Sequence, residues 1–399
     1  MSTGRLAGFV PPVYPFERLG EAAALASAHP GGAVDLSIGT PCDPPPPAVV
    51  AALGSSGAER GYPRSIGSDE LREAASGWMG RRFGLAVPAR AIAACVGTKE
   101  LVASLPGFLR LRSPSKDTVL CPSVAYPTYA MGAVLGGCRT VLVPPDALGR
   151  LDLASIDPED AKRALCLWVN SPGNPAGQLE DLEAAASFGR RHLVPVFSDE
   201  CYVEFTWTGP PRSILDHGSE GVVALHSLSK RSNLAGLRVG FMAGDEELVS
   251  YLAAARQHAG LMVPGPIQHA AAVALHDDHH VEAQRRIYAE RLSYVASMLC
   301  DNGLPAHLPD GGFYIFAKVP DQLSSEAATT GESPAFSLSR LLARDGGVIV
   351  SPGDFYGPLA TCYVRLAMVA PLDRLRLVGE RLERSGFAAA ASIEGSAGR

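Results

Sequence analysis

The chain has 399 residues, of which 47% are hydrophobic and 19% are charged, a composition typical of a globular protein with room for two domains. Its formal net charge of -6 provides no basic surface for a phosphodiester backbone, so we expect no nucleic-acid partner. No apolar run approaches the roughly 18 to 20 residues of a membrane span, and residues 1–12 contain no signal-peptide pattern, so we expect a cytoplasmic protein without membrane contact.

The first structural signal along the chain is the proline-rich run 41–47, which predicts a rigid crossing between two domains. From residue 92 onward, short apolar β-branched runs alternate with helical patterns, and the pattern at 180–192 predicts a helix between two such runs. Runs that are apolar on both faces indicate a buried, mainly parallel sheet with crossover helices. Strands are predicted at residues 92–96, 118–121, 140–143, 165–169, 194–198, 222–225 and 239–243.

In the C-terminal part of the chain, the regular alternation of strands and helices ends, and the new pattern predicts a smaller α+β unit. Long helical patterns at 246–259 and 280–302 come first. The Ala/Gly/Ser-rich tail from Ala388 is expected to fray. Within the unit, strands are predicted at 313–317, 347–351 and 363–366, and helices at 334–345 and 371–386.

The overall prediction is therefore an α/β protein, with a mainly parallel seven-stranded sheet, helices on both faces and a smaller α+β domain. The large domain is expected at 46–290, and the small domain is expected to combine 1–45 with 291–399. In open α/β sheets, ligands bind beyond the carboxyl ends of the strands, so the motifs that follow predicted strands are the candidate functional residues.

Cysteine and histidine usage gives no indication of a metal or a disulfide framework. The eight cysteines contain no Cys-x-x-Cys pair, and most lie in apolar strand-like runs, which is typical of reduced core residues. His276, His279 and His280 lie beside two aspartates, but no Cys or Glu at ligand spacing supports them, so a solvated helix end is the preferred interpretation. The cysteines are Cys42, Cys95, Cys121, Cys138, Cys166, Cys201, Cys300 and Cys362.

Lys230 lies in a run rich in serine and glycine and is the strongest chemical signal in the chain. A lysine amine reacts with an aldehyde only when part of it is deprotonated, and cationic neighbours such as Arg231 and Arg238 lower its pKa. Ser227, Ser229 and Arg238 provide the groups that are expected around a phosphate dianion. The alternative interpretation is a surface lysine in a loop.

Asp199 and Tyr202 follow the predicted strand 194–198. A carboxylate at the tip of a buried strand is costly unless it pairs with a cation, and a protonated ring nitrogen would be such a partner. Tyr202 is spaced to donate to the phenolic oxygen of the same ring. The alternative interpretation is an aspartate that caps the next helix.

Two further polar motifs also follow predicted strands. Gly97, Thr98 and Lys99 open a helical stretch, where free amides and the Thr98 hydroxyl make an anion site; an ordinary helix cap is the alternative. Asn174 lies between two prolines after the strand 165–169. These prolines fix the backbone and aim its amide at a ligand oxygen, and a plain turn is the alternative.

An aromatic ring and an arginine complete the set of candidates. Tyr126 follows the strand 118–121 and is placed to stack on a planar ring, with core packing as the alternative. Arg365 lies inside an apolar strand, where a guanidinium needs an anion, and a bidentate carboxylate is the natural partner.

In this order, the motifs resemble those of the pyridoxal-phosphate-dependent aminotransferases of classes I and II, of fold type I. The resemblance runs over nearly the whole chain and implies pyridoxal 5'-phosphate as the cofactor. It also implies that Lys230 is the Schiff-base residue, that Asp199 holds the pyridine nitrogen and that Tyr126 stacks on the ring. The implied phosphate ligands are Gly97, Thr98, Lys99, Ser227, Ser229 and Arg238, and the implied phenolate ligands are Asn174 and Tyr202.

The same resemblance implies the substrate contacts and the assembly. Arg365 would bind the substrate α-carboxylate close to Gly39 and Asn174. Tyr62 would reach the phosphate of a neighbouring subunit, which implies a homodimer with active sites at the interface. The sequence around the reactive lysine and the segment 351–357 resemble the actinobacterial type of succinyldiaminopimelate aminotransferase. That likeness implies N-succinyl-LL-2,6-diaminopimelate:2-oxoglutarate transamination in lysine biosynthesis, with glutamate as the amino donor.

Several alternatives stay open at this point. Aspartate, alanine or aromatic transamination would use the same residues. A carbon–sulfur lyase of the same fold differs only in its products, and a non-catalytic effector domain would keep the cofactor without turnover. The remote carboxylate of a succinylated substrate needs a cation, and the sequence does not rank the candidates Arg64, Lys99 and Arg231.

Overall fold

The structure is a computed structural model that describes residues 8–387, apart from the side chains of residues 326 and 328–330. The predicted tail from Ala388 lies outside the described residues. The strands are β1 (Val34–Asp35), β2 (Ile92–Cys95), β3 (Thr118–Pro122), β4 (Arg139–Val143), β5 (Ala164–Asn170), β6 (Val196–Asp199), β7 (Val222–Ser227), β8 (Gly240–Gly244), β9 (Tyr314–Lys318), β10 (Val348–Ile349), β11 (Ser351–Pro352) and β12 (Tyr363–Ala367).

Several helices begin at side chains that satisfy their free N–H groups. Ser68 accepts a hydrogen bond from the N–H of Leu71, and Asp181 accepts one from the N–H of Ala184. The α-helices are α1 (Gly20–Ser27), α2 (Pro47–Leu53), α3 (Asp69–Phe83), α4 (Thr98–Arg112), α5 (Thr128–Leu135), α6 (Pro158–Arg163), α7 (Leu182–His192), α8 (Leu228–Arg231), α9 (Glu246–His258), α10 (Gly265–His276), α11 (His279–Asp301), α12 (Asp321–Thr330), α13 (Pro334–Gly346) and α14 (Leu372–Ser385).

Seven strands form the central sheet in the order β2-β8-β7-β6-β5-β3-β4. The pairs among β3, β4, β5, β6 and β7 are parallel, whereas β8 runs antiparallel to both of its neighbours, β2 and β7. The predicted α/β class and the mainly parallel seven-stranded sheet are therefore confirmed.

Both faces of this sheet are covered, because alternate residues of its strands enter two different cores. On β5, Leu167 and Val169 pack into a core with α2, α3, α7 and α10, while Cys166 and Trp168 pack into a core with α4, α5 and α9. This double burial explains why the strands read as continuous apolar runs rather than as alternating ones.

A second, smaller structural unit is built around the antiparallel sheet β11-β12-β9 and packs against α11, α13 and α14. The predicted single strand at 347–351 is wrong, because the segment divides between two sheets. Its first part, β10, pairs in parallel with β1, and its second part, β11, pairs with β12. The partners come from distant parts of the chain, which the local apolar pattern does not reveal. The β1–β10 pairing agrees with a small domain made from both ends of the chain, whose boundaries stay a prediction.

Candidate active site

A cavity of about 360 Å³ lies at the carboxyl ends of the parallel strands and collects most of the predicted site residues. Asp199 is the last residue of β6 and Ser227 is the last residue of β7. Both polar residues therefore lie at the same carboxyl-terminal edge of the central sheet. The predicted residues that line the cavity are Gly39, Thr98, Lys99, Tyr126, Asn174, Asp199, Tyr202, Ser227, Ser229, Lys230, Arg238 and Arg365.

Lys230 lies on the short helix α8 and donates a hydrogen bond through Nζ to the carbonyl oxygen of Gly39. Burial lowers the pKa of this amine to about 8, and the guanidinium groups of Arg365 and Arg238 act in the same direction. Arg231, expected beside the amine, instead pairs with buried Glu204 and does not line the cavity. The lowered pKa leaves part of the amine neutral near pH 7, as a nucleophile or a general base requires.

Asp199 is buried at the base of the cavity, and burial raises the pKa of its carboxyl group. Two donors oppose that effect: the Tyr129 hydroxyl lies 2.9 Å from Oδ2, and the N–H of Cys201 lies 3.3 Å from Oδ1. Coulombic attraction to Lys230 also lowers the pKa of Asp199. The site therefore favours a ligand that brings a positive charge or an N–H donor to this carboxylate.

An anion-binding corner lies where β2 turns into α4. Gly97 precedes the helix with φ of 71°, and Thr98, the first helical residue, lines the cavity, so the helix begins with its free N–H groups at the cavity edge. A Cβ atom on Gly97 would overlap the guanidinium of Arg238. Nη1 of Arg238 also lies 3.5 Å from the hydroxyl of Ser229. Helix N–H groups, a hydroxyl and a guanidinium thus converge as a phosphate dianion requires.

The loop that carries Asn174 is tied to the neighbouring strand by a second asparagine. Oδ1 of Asn170 accepts a hydrogen bond of 2.8 Å from the N–H of Asn174, and its Nδ2 donates to the carbonyl oxygen of Asp199. Oδ1 of Asn174 in turn accepts a hydrogen bond of 2.9 Å from Arg365. The Asn174 amide is therefore fixed between the base of the cavity and the small sheet.

Arg365 is buried in β12 and enters the cavity from the small sheet. It donates to the carbonyl oxygen of Ser37, and its guanidinium carbon lies 4.2 Å and 4.9 Å from the ring centroids of Tyr314 and Tyr356. No acidic side chain pairs with it among the described residues. A guanidinium held in this way is ready to bind the carboxylate of a small ligand.

Other predicted residues take up more varied positions. Tyr202 exchanges a hydrogen bond of 2.8 Å with the hydroxyl of Tyr314, and a Cβ atom on Gly39 would overlap that same hydroxyl. Tyr126 lines the cavity with its ring edge-on to Tyr129, so its stacking role stays a prediction. Tyr62 is 98% exposed and does not line the cavity of its own chain.

Lys99 enters the cavity beside the N-terminal segment. Its Nζ lies 2.9 Å from the hydroxyl of Tyr14 and 4.8 Å from the centroid of that ring. Burial alone would lower the pKa of Lys99, but the hydrogen bond to Tyr14 and the neighbouring Tyr126 outweigh it and raise the pKa. The lysine is therefore a charged group in the wall of the cavity at neutral pH.

Sequence reasoning missed several residues of the cavity. One of them had an available signal: Tyr129 lies three residues after Tyr126, one helical turn away in the segment that enters α5. Asn170, Cys201 and Ala235 lie in the same strand ends and loops as predicted residues, whereas the others are brought in by long-range folding from the N-terminal segment and the small sheet. The cavity residues that were not predicted are Tyr14, Phe16, Ile38, Thr40, Tyr129, Asn170, Cys201, Ala235 and Tyr314.

The predicted histidine cluster and most of the cysteines lie outside the cavity. Within residues 8–387, no group of three or more His, Cys, Asp or Glu side chains is arranged to hold a metal ion. His280 instead lies 2.9 Å from the Ser232 hydroxyl and 3.0 Å from Asp277.

The cysteines agree only in part with the expectation that they are core residues. Cys95, Cys121 and Cys166 are buried, whereas Cys42 and Cys300 are exposed. Over the same described range, no helix is long and apolar enough to cross a membrane.

The sequence matches the family model for aminotransferases of class I and II over residues 32–377. A probable aminotransferase of Mycobacterium tuberculosis is 40% identical over 380 residues, which cover 93% of this chain and 85% of that protein. The 4-dedimethylamino-4-oxo-anhydrotetracycline transaminase OxyQ of Streptomyces rimosus is 39% identical over 93% of this chain and 99% of that enzyme. Among solved structures, a probable N-succinyldiaminopimelate aminotransferase from Thermus thermophilus is 29% identical with a TM-score of 0.82, covering 93% of this chain and 100% of that one.

Proposed function

The chain belongs to the class I and II aminotransferases, and from this premise we propose that it uses pyridoxal 5'-phosphate to move an amino group between an amino acid and a 2-oxo acid. One observation carries the proposal: Lys230, whose pKa is lowered, shares a cavity with buried Asp199 and with the anion-binding corner. These groups fit the three polar ends of the cofactor. The amine fits its aldehyde, the carboxylate its ring nitrogen and the corner of Gly97 and Arg238 its phosphate.

When bound, the cofactor supplies an electron-withdrawing ring that makes the α-proton of the amino acid acidic. The chain's own residues do the rest. Lys230 takes and returns that proton as general base and acid, for which a pKa of about 8 is suitable. Asp199 keeps a proton on the ring nitrogen, Tyr202 and Asn174 contact the phenolate oxygen, and Arg365 orients the substrate by its α-carboxylate.

For the substrate, we propose N-succinyl-LL-2,6-diaminopimelate with 2-oxoglutarate, hence a role in lysine biosynthesis. The likeness to the Thermus thermophilus protein supports this choice. The contacts of the three cations that were open on sequence alone support Lys99. Lys99 lines the cavity, whereas Arg64 is exposed beside Asp69 and Arg231 pairs with Glu204. Lys99 is thus the suitable partner for a remote carboxylate.

A second candidate is amination of a larger, cyclic oxo compound. The relative from Streptomyces rimosus, at 39% identity, is a transaminase of an oxo-anhydrotetracycline. The cavity wall formed by Tyr14, Phe16 and Ile38 offers the apolar surface that a ring system needs.

The test is an absorption spectrum of the purified protein followed by a glutamate-dependent amination assay. The acceptors are the succinylated oxo acid, oxaloacetate, pyruvate, phenylpyruvate and an oxo-anhydrotetracycline. We expect a visible cofactor band that changes with glutamate and is absent in Lys230→Ala, and amination chiefly of the succinylated acceptor. Release of ammonia and an oxo acid from a single substrate would instead show a lyase. A band without any turnover would show an effector domain, and absence of the band would overturn the cofactor.

The proposal includes a homodimer in the cytoplasm. Full exposure of Tyr62 in the single chain supports a contact with a partner subunit, where the family likeness puts it at the neighbouring phosphate. All eight cysteines are free, which suits a reducing compartment. Sedimentation of the purified protein, with Tyr62→Ala compared in cofactor affinity, tests the dimer.

A further inference from the structure

A buried polar pair lies behind the candidate active site. Glu200 directly follows Asp199, and His226 directly precedes Ser227. Successive side chains of an extended chain point to opposite faces, so a sheet that presents Asp199 and Ser227 to the cavity presents Glu200 and His226 to its other side. The two chain segments are adjacent, since the N–H of Glu200 donates a hydrogen bond of 2.9 Å to the carbonyl oxygen of Leu225. The pair therefore lies directly beneath two residues of the proposed cofactor site.

The free polar atoms of the pair face each other. Oε2 of Glu200 lies 3.5 Å from Nε2 of His226, and both side chains are buried. Among the described residues, neither Oε2 nor either ring nitrogen has a conventional hydrogen-bond partner. The other oxygen of Glu200 accepts a hydrogen bond of 2.8 Å from the N–H of Ile214. Buried polar atoms without partners are costly, and a hydrogen bond between Oε2 and Nε2 would satisfy these two, while the backbone of Glu200 also acts on the His226 ring.

The surroundings of the pair do not hydrate an ion. The imidazole of His226 lies 4.9 Å, 5.1 Å and 6.0 Å from the ring centroids of Trp78, Phe241 and Phe83. The adjoining cavity has a volume of only about 10 Å³, room for one water molecule at most. Burial raises the pKa of Glu200 to about 8, against the N–H of Ile214 and the hydroxyls of Ser213 and Ser198, which lower it in part. Burial lowers the pKa of His226 to about 3, so that both groups are uncharged at neutral pH.

The charged groups around the pair do not favour an ionised Glu200. Asp216 repels a negative charge on Glu200 and raises its pKa further. Arg231 is the cation among the described residues that line the small cavity, and it pairs at 3.1 Å with Glu204. Asp199, one residue away, would be repelled by a charge on Glu200 as well.

We propose that Glu200 and His226 form an uncharged pair that shares one hydrogen-bonding proton. From the face of the sheet opposite the cavity, the pair positions Asp199 and Ser227. The proton resides on Oε2 of Glu200, which donates it to Nε2 of His226, and Nδ1 carries the imidazole's own hydrogen. The pair thereby ties β6 to β7 at the point where both strands deliver site residues. It also keeps a negative charge away from Asp199, whose anionic form the site needs.

The protonation part of the proposal is tested by infrared spectroscopy of the cofactor-free full-length protein. A wild-type minus Glu200→Gln difference spectrum at pH 7 should contain the C=O stretch of a protonated carboxylic acid. This band should disappear as the pH rises through about 8. His226→Phe fits the aromatic surroundings and removes the acceptor, so the band should shift to higher frequency. Glu180→Gln, at a half-buried carboxyl group whose pKa is also raised, serves as the control and should leave the Glu200 band in place.

The positioning part is tested by hydrogen–deuterium exchange in residues 196–203 and 222–231. Glu200→Ala should speed exchange about tenfold, as expected for the loss of a buried hydrogen bond. Glu200→Gln keeps an uncharged donor and should restore slow exchange. A carboxylate band at pH 7 would overturn the shared proton, and equal exchange in wild type and both variants would overturn the positioning role. Should Glu200→Ala fail to fold, His226→Phe replaces it in the exchange measurement and should speed exchange in the same residues. None of these measurements requires cofactor or turnover. Their outcome is therefore independent of whether the proposed transamination is correct.

Discussion

The hydroxyl of Tyr129 donates a hydrogen bond of 2.9 Å to Oδ2 of Asp199, and both side chains are buried. Because burial raises the pKa of Asp199, this bond helps to keep the carboxylate ionised. A hydrogen bond to a charged group contributes about 1.5 to 3 kcal/mol. We therefore expect Tyr129→Phe to lower kcat for transamination about tenfold or more and to move the acid limb of its pH profile to higher pH.

The control for this prediction is Tyr251→Phe. The hydroxyl of Tyr251 donates a hydrogen bond of 2.6 Å to the carbonyl oxygen of Phe108, outside the cavity. This variant should keep wild-type kcat, which separates the loss of the Asp199 contact from the loss of any tyrosine hydroxyl. Wild-type kcat in Tyr129→Phe would show that Asp199 does not depend on this donor.

The reactivity of Lys230 should depend on pH as its lowered pKa dictates. The amine is protonated below about pH 8 and neutral above it, and only the neutral form attacks an aldehyde. The rate at which the cofactor-free protein takes up pyridoxal phosphate should therefore rise tenfold per pH unit well below pH 8 and level off above it. Stopped-flow absorbance measures this rate directly.

Arg365→Gln tests whether nearby positive charge contributes to the low pKa of Lys230. Burial is the main reason for the low pKa of Lys230, but the Arg365 guanidinium contributes to it. Removing that positive charge should move the midpoint of the uptake profile to higher pH, while Arg64→Gln at the exposed surface should leave it unchanged. A midpoint near the ordinary lysine value in the wild-type protein would contradict the burial of the amine.

The sequence predicted the central sheet and its site residues for one physical reason. Strands buried on both faces read as continuous apolar runs, and the polar residue at which each run stops lies at the ligand edge of the sheet. Asp199, Asn174 and Gly97 were found in this way, whereas Lys230 was found from its serine and arginine neighbours, and all four lie at the cavity or its anion-binding corner.

What the sequence did not predict depends on long-range folding. Tyr14 and Tyr314 reach the cavity from segments about 300 residues apart, and no local pattern connects them. The strand predicted at 347–351 divides because its two halves pair with β1 and β12. Helix α10 is missing from the predictions because its buried face is largely alanine, which leaves no clear apolar stripe.

Lys99 should determine the preference for substrates with a second carboxylate. Its ammonium lies in the cavity wall beside Tyr14, where its pKa is raised and its charge is retained. Lys99→Met keeps the length of the side chain and removes the charge. We expect kcat/KM for the succinylated or another dicarboxylic acceptor to fall roughly tenfold to a hundredfold, as for the loss of a charged hydrogen bond. The value for alanine or pyruvate should change much less.

Arg64→Met is the matched control, because Arg64 was an equal candidate on sequence alone. Its side chain is exposed and forms an ion pair at 3.4 Å with Asp69. Acceptor preference should be unchanged in this variant, and a loss there would place Arg64, two residues from Tyr62, in the cavity of a partner subunit. A uniform loss over all acceptors in Lys99→Met would instead assign Lys99 to the cofactor phosphate, as the family resemblance implied.

Gly97 should be intolerant of any side chain for two separable reasons. Its φ of 71° and ψ of 150° lie in a region that is essentially restricted to glycine, where another residue costs on the order of 1 to 3 kcal/mol, and its Cβ atom would overlap the guanidinium of Arg238. Gly218 has φ of 90° and ψ of 159°, in the same region as Gly97, and its Cβ atom would meet only Nη2 of the flexible Arg190 side chain, at 3.2 Å, so Gly218→Ala carries mainly the backbone cost. We expect both variants to lower the thermal midpoint, but only Gly97→Ala to weaken pyridoxal phosphate binding, by about tenfold or more, in an absorbance titration. Equal affinities in the two variants would assign the effect to backbone strain and remove Arg238 from the anion site.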